Sequence, residues 1–122
     1  MVEPTADETL IRKHFPNAFR ETKLAQAIRG DDVAGLVICG AMSHMCIDAT
    51  TRAAFDLGFK CTVVEDACTT RDLRFRGETV TAKAVHAAFM AALSVPYANV
   101  VSRKDCLASM RAWCNELWYL SA

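Results

Sequence analysis

The stretch Val33-Ala34-Gly35-Leu36-Val37-Ile38-Cys39 is a nearly unbroken apolar run that stops at Gly40. A run of that length is expected of a parallel strand covered on both faces. Met45 to Leu57 follows with helical spacing and is closed by Gly58, a residue suited to ending a helix. The cycle then repeats, with an apolar strand at Cys61 to Val64, polar loop over Glu65 to Gly77, and an alanine-rich helix from Thr79 to Leu93 that ends before Pro96. Ala98 to Val101 reads as a third strand. A last helix is expected from Asp105 to Tyr119, with Leu107, Met110, Trp113, Cys114 and Leu117 on one side. Upstream, Thr9 to Arg12 is a short strand candidate leading into Lys13. Pro16 and Asn17 then form a turn, and Glu21 to Arg29 is a helix stopped by Gly30. Strands alternating with helices at this interval imply right-handed crossovers and a parallel sheet with helices on both faces, a three-layer α/β/α arrangement.

The 122 residues suffice for one domain, 1–122, with a single core, and no internal repeat or linker divides them. Fourteen basic residues balance fourteen acidic ones, so no electrostatic footprint points to nucleic acid or an anionic membrane. A small-molecule substrate fits this balance better. No apolar stretch is long enough to span a bilayer and the start lacks the features of a signal peptide, which predicts a cytoplasmic protein. The cysteines at 39, 46, 61, 68, 106 and 114 form no C-x-x-C pair and no Cys/His spacing of a zinc site. Free thiols are expected, with no metal and no cofactor.

Cys46 stands apart from the other five. It falls where the strand breaks through Gly40 into the following helix, so its sulfur faces the unpaired N–H groups and the positive dipole end, which stabilise a sulfur anion. That makes it a candidate nucleophile, and the other cysteines read better as small apolar residues. A nucleophilic thiolate also needs a partner and an oxyanion hole. Successive amides of the turn from Gly40 to Cys46 could supply the hole.

These residues resemble the isochorismatase-like cysteine hydrolases, a family that includes nicotinamidases, N-carbamoylsarcosine amidohydrolases and streptothricin hydrolase. The similarity runs from Arg12-Lys13-His14-Phe15-Pro16-Asn17-Ala18-Phe19, through Gly40-Ala41-Met42-Ser43-His44-Met45-Cys46-Ile47-Asp48-Ala49-Thr50-Thr51-Arg52-Ala53-Ala54, to Val63-Val64-Glu65-Asp66-Ala67. The middle block is the specific one and looks most like the streptothricin hydrolase branch. The resemblance implies an Asp-Lys-Cys triad, with Cys46 as nucleophile and Lys13 as the cation that stabilises its thiolate. It also implies a non-proline cis peptide at Ala41-Met42, which helps aim the amides of Met42 and Cys46 at the oxyanion. The implied reaction is hydrolysis of a small amide or related C–N bond through a covalent Cys46 intermediate. Enol-ether hydrolysis of isochorismatase type is the rival within the family, and an inactive scaffold or oligomer subunit is the rival outside it.

One part of the family pattern has no counterpart. The triad aspartate should end an apolar strand ahead of Lys13, and none of Asp7, Asp31, Asp32 or Asp48 follows such a strand. The family sheet, ordered 3-2-1-4-5-6, would lack its middle strands, which implies a partial, N-terminally truncated domain. Leu36 to Cys39 would become an exposed apolar edge open to pairing, and a homo-oligomer is expected to follow.

The remaining site residues are weighed against packing. Phe19, His44 and Met45 are expected to line the substrate pocket, with Met42 beside them, although methionines and aromatics at strand ends more often belong to a core. His44 lies too close to Cys46 along the chain to face it as a base. His14 reads as a turn residue and His86 as a packed helix residue without chemistry. Asp66 is expected to bond loop amides or cap the next turn. Trp113, Trp118 and Tyr119 read as packing, with an oligomer contact as the alternative.

Overall fold

The computed structural model describes residues 3–110 and 118–121, the last four by backbone alone. In chain order the elements are α1 (Leu24–Gly30), β1 (Gly35–Ala41), a π-helical turn (Ser43–Ile47), α2 (Asp48–Asp56), β2 (Lys60–Thr69) and β3 (Leu73–Phe75). They continue with β4 (Glu78–Val80), α3 (Ala82–Leu93), β5 (Asn99–Val101), α4 (Arg103–Met110) and β6 (Trp118–Ser121).

Side-chain alternation along β1 decides which helix lies on which face. Leu36 and Ile38 join the main core with Leu24 and Ile28 of α1, Ala54 of α2, and Met90 and Leu93 of α3. Val37 points the other way and packs with Val64 of β2 and Cys106 of α4. Both faces are therefore covered, as the apolar run predicts, and the three-layer α/β/α class holds. The main sheet has the order β5-β2-β1-β6 with all pairs parallel. From β1 the chain steps through β2 to β5 in one direction, with α2 and α3 packed on the same face. After α4 on the opposite face it is found on the far side of β1, at β6. Strand progression thus reverses at β1, the position where open α/β sheets form a crevice at their carboxyl ends.

Several local expectations are corrected. Thr9 to Arg12 is not a strand, and the edge of β1 is taken by β6, with Leu36 opposite Trp118 and Cys39 opposite Ser121. By the same pairing, Leu36 to Cys39 is not an exposed edge: Leu36, Val37 and Ile38 are all buried. The helix expected over Asp105 to Tyr119 is described only as Arg103–Met110. Trp118 and Tyr119 lie in β6, where aromatic β-propensity and the unpaired backbone of β1 outweigh helical spacing; Trp113, Cys114 and Leu117 lie outside the described residues. Within α4 it is Cys106 that is buried, while Leu107 is exposed.

The segment Glu65 to Gly77 is not plain loop either. β2 continues to Thr69, and β3 and β4 form an antiparallel hairpin whose turn, Arg76-Gly77, has both residues at positive φ. That is the twist a two-residue hairpin loop requires. The next helix accordingly starts at Ala82 and not Thr79. Its first amides are met by the Thr81 hydroxyl, which accepts from the Ala84 N–H at 3.3 Å, and by Asp72, which accepts from the Ala82 N–H at 2.7 Å.

Candidate active site

The carboxyl end of β1 is irregular. Ile38 pairs with Val63 and Gly40 with Cys68, so Cys39 alone stands opposite the four residues from Val64 to Ala67. Bulges of this kind re-aim the chain beside sites. Gly40 has φ 128°, a conformation that a side chain would strain. The Ala41–Met42 peptide is cis, the place the family resemblance assigns to such a bond. Ser43–Ile47 is then a π-helical turn in which the Met42 carbonyl accepts from the N–H groups of Met45 at 2.9 Å and Ile47 at 3.3 Å. π-turns are rare and concentrate at functional sites. This one carries Cys46.

Lys13 Nζ donates to Cys46 Sγ at 3.0 Å. The same ammonium donates to the carbonyls of Phe15 at 3.2 Å and Pro16 at 3.5 Å, so each of its three protons has an acceptor. Lys13 needs no strand to reach this position. Its turn is fastened to α2 by Thr50, whose buried hydroxyl donates to the Pro16 carbonyl at 3.2 Å and accepts from the Ala18 N–H at 3.0 Å. Sequence reasoning passed over Thr50, since nothing in its spacing shows that a helix threonine four residues beyond Cys46 braces the lysine.

Cys46 is half-buried, so its sulfur is neither sealed among hydrocarbon nor separated from Lys13. Burial pushes Cys61 and Cys68 up to about 11, and raises Cys39 and Cys106 as well, Cys39 with a smaller contribution from neighbouring Cys106. All five described cysteines are free.

Among the pocket residues expected from sequence, Met45 and Ala41 are exposed at this end and Met42 is half-buried. His44 is turned away to Thr70, with Nδ1 at 2.6 Å from the hydroxyl, and stands edge-on to Phe89. Phe19 stacks on Phe59, just ahead of β2, and packs against the main core. His14 is exposed. Asp66 accepts from the Arg103 N–H at 2.6 Å and so caps α4, its expected structural role. His86, read as packing, instead bonds Ser43 in the Cys46 turn at 2.9 Å. Among the described residues no carboxylate pairs with Lys13 or Cys46, and no group of His, Cys, Asp or Glu is arranged to hold a metal. No described helix is long and apolar enough to cross a membrane.

A family model described as the isochorismatase domain matches residues 1–106. The chain belongs to the isochorismatase family. It is 52% identical over 99 residues to the uncharacterized isochorismatase family protein YddQ of Bacillus subtilis, covering 81% of this chain and 55% of that protein. Streptothricin hydrolase of Streptomyces noursei is 36% identical over 72 residues, 59% of this chain and 26% of that enzyme. The crystal structure of an isochorismatase from Pseudomonas putida KT2440 superposes with a TM-score of 0.82 at 39% identity, over 84% of this chain and 53% of that one. This isochorismatase-family chain thus spans about half the length of YddQ, or less in the case of streptothricin hydrolase.

Proposed function

We propose that this chain is a cysteine hydrolase acting on a small amide or related C–N bond, with Cys46 as nucleophile and Lys13 as its cationic partner. The observation that carries the reading is the 3.0 Å contact of the Lys13 ammonium with the Cys46 sulfur, at the carboxyl end of the strand where progression across the sheet reverses. Relatives in the family that match this chain include streptothricin hydrolase, a maleamate amidohydrolase of Pseudomonas putida and Nicotinamidase 3 of Arabidopsis thaliana. Two of these names, maleamate amidohydrolase and nicotinamidase, denote hydrolysis of an amide, and this favours amide over enol-ether chemistry.

In the proposed cycle the Cys46 thiolate adds to the carbonyl carbon, while amides of the turn from Met42 to Cys46 receive the charge on oxygen. The C–N bond breaks, and the nitrogen leaves with a proton from the Lys13 ammonium. Water then adds to the thioester carbon and returns a proton to Lys13, which releases the acid and restores the thiolate. The backbone carbonyls of Phe15 and Pro16, which accept from Nζ, hold the lysine nitrogen in place between the two proton transfers.

A second reading, a scaffold without turnover, is favoured by one observation: among the described residues no carboxylate stands on Lys13 or Cys46 to activate water. A panel of nicotinamide, maleamate and a simple lactam separates the readings. Ammonia release or ring opening that disappears in Cys46→Ala, with an acyl adduct on the Cys46 peptide by mass spectrometry, supports the hydrolase. Full turnover in Cys46→Ala overturns it. In the unsubstituted chain, Cys46 alkylation no faster than that of Cys61 supports the scaffold.

A further inference from the structure

Ser43 opens the turn that carries Cys46, and its side chain is 0% exposed. The hydroxyl has two partners, the Thr69 carbonyl at 3.3 Å and His86 Nδ1 at 2.9 Å. A carbonyl can only accept, so the hydroxyl proton points to Thr69 and the oxygen accepts from the ring. The proton of His86 is therefore on Nδ1. The other ring nitrogen, Nε2, faces Glu65 Oε2 at 3.7 Å, at the half-exposed side of the helix.

Serine, histidine and glutamate in this order have the look of a catalytic triad, yet two features exclude that use. Ser43 does not reach solvent, and the hydrogen bond runs from the imidazole to the hydroxyl, opposite to what a general base requires. What the arrangement does is mechanical. Two elements meet on two consecutive residues of the turn: β2 through Thr69 on Ser43 and, one residue beyond its end, through Thr70 on His44, and α3 through His86 on Ser43. At its other end the turn is held by Ile47, which is fully buried in the main core. Cys46 lies between these anchors, and its position relative to Lys13 is set by both.

We infer that His86 is a positioning residue that acts through Ser43 to hold Cys46 on Lys13. The inference rests on the hydrolase reading of Cys46, and its test separates the two. The rate of Cys46 alkylation by iodoacetamide at neutral pH, followed by peptide mass spectrometry, reads the placement of the sulfur without any substrate. His86→Leu removes the donor and Ser43→Ala removes its acceptor; each is expected to slow alkylation by about tenfold, the scale on which small misplacements cost reactivity. His86→Asn puts an amide N–H where Nδ1–H stood and is expected to restore the rate to within about twofold of the parent chain. If His86→Leu does not fold, Ser43→Ala carries the same expectation. Parental rates in His86→Leu or Ser43→Ala overturn the inference. So does an Asn variant as slow as the Leu variant with the same thermal midpoint, which would show bulk packing and not the hydrogen bond at work. An inert Cys46 in the parent chain overturns the hydrolase reading itself.

Discussion

The two ends of the main sheet are built from the same strands but held by different forces. At the amino end, Phe55 meets Tyr97 edge-on with ring centroids 5.3 Å apart, Phe19 stacks on Phe59 at 6.3 Å, and Arg52 lies over Tyr97 at 4.4 Å. These contacts are broad and only weakly directional, and they tolerate exchange among apolar groups of similar size. At the carboxyl end the links are single hydrogen bonds between distant stretches of chain: Lys13 to Cys46, Ser43 to His86 and Thr69, Thr50 to Pro16. Each fixes an angle as well as a distance. The difference teaches where this fold can be altered freely and where one atom decides the outcome.

The contrast would break most visibly at Lys13. Lys13→Met keeps an unbranched side chain, one atom shorter, and removes the donor to sulfur, so hydrolysis of a responsive amide is expected to fall by about a hundredfold or more. The thermal midpoint should hardly move, because the lysine is only half-buried. Phe55→Leu at the opposite end should do the reverse, lowering the midpoint while Cys46 alkylates at its parental rate. Loss of Cys46 reactivity in Phe55→Leu would show that the two ends are coupled, and the contrast would fail.

Thr50 and Thr51 sharpen it on neighbouring residues. Both are fully buried, yet Thr50 Oγ1 has two partners and Thr51 Oγ1 has none. Thr50→Val leaves the Ala18 N–H and the Pro16 carbonyl unmatched and is expected to cost about 1–3 kcal/mol, with slower Cys46 alkylation as the Lys13 turn loosens. Thr51→Val replaces an unpaired hydroxyl by a methyl group of like shape. It should be neutral or slightly stabilising, within about 0.5 kcal/mol. Urea melts of the two variants measure the difference directly, and equal losses would show that hydrogen bonding does not distinguish them.

The same division separates what the sequence made legible from what it did not. β1 and the placement of Cys46 after it follow from an apolar run and a helix start, both local patterns, although the strand continues through Gly40 to Ala41. Lys13 was reachable through family resemblance alone, since its 3.0 Å partner lies 33 residues away. The β3–β4 hairpin escaped notice because Arg76-Gly77 lacks the usual Asn-Gly or Asp-Gly signature, although Gly77 with a β-branched and aromatic flank was a usable signal. β6 was read as helix because apolar spacing says nothing about an unpaired strand edge elsewhere that competes for the segment. His86 and Thr50 were missed for the reason Lys13 was hard: their partners are brought together by β1, β2 and α3, and no window of sequence contains both ends of the bond.

The smallest expected effect lies in alkaline stability and again depends on which thiols the core encloses. Cys61 and Cys68 are raised from 9.0 to about 11 by burial, so between those values the unfolded chain loses protons that the folded chain retains. Stability from this source is whole below pH 9, falls as pH rises toward about 11, and levels off beyond it. Cys61→Ala or Cys61→Val should flatten part of that decline when thermal midpoints are followed across the window. A decline that persists undiminished in both Cys61 variants would show that this buried thiol is not its source.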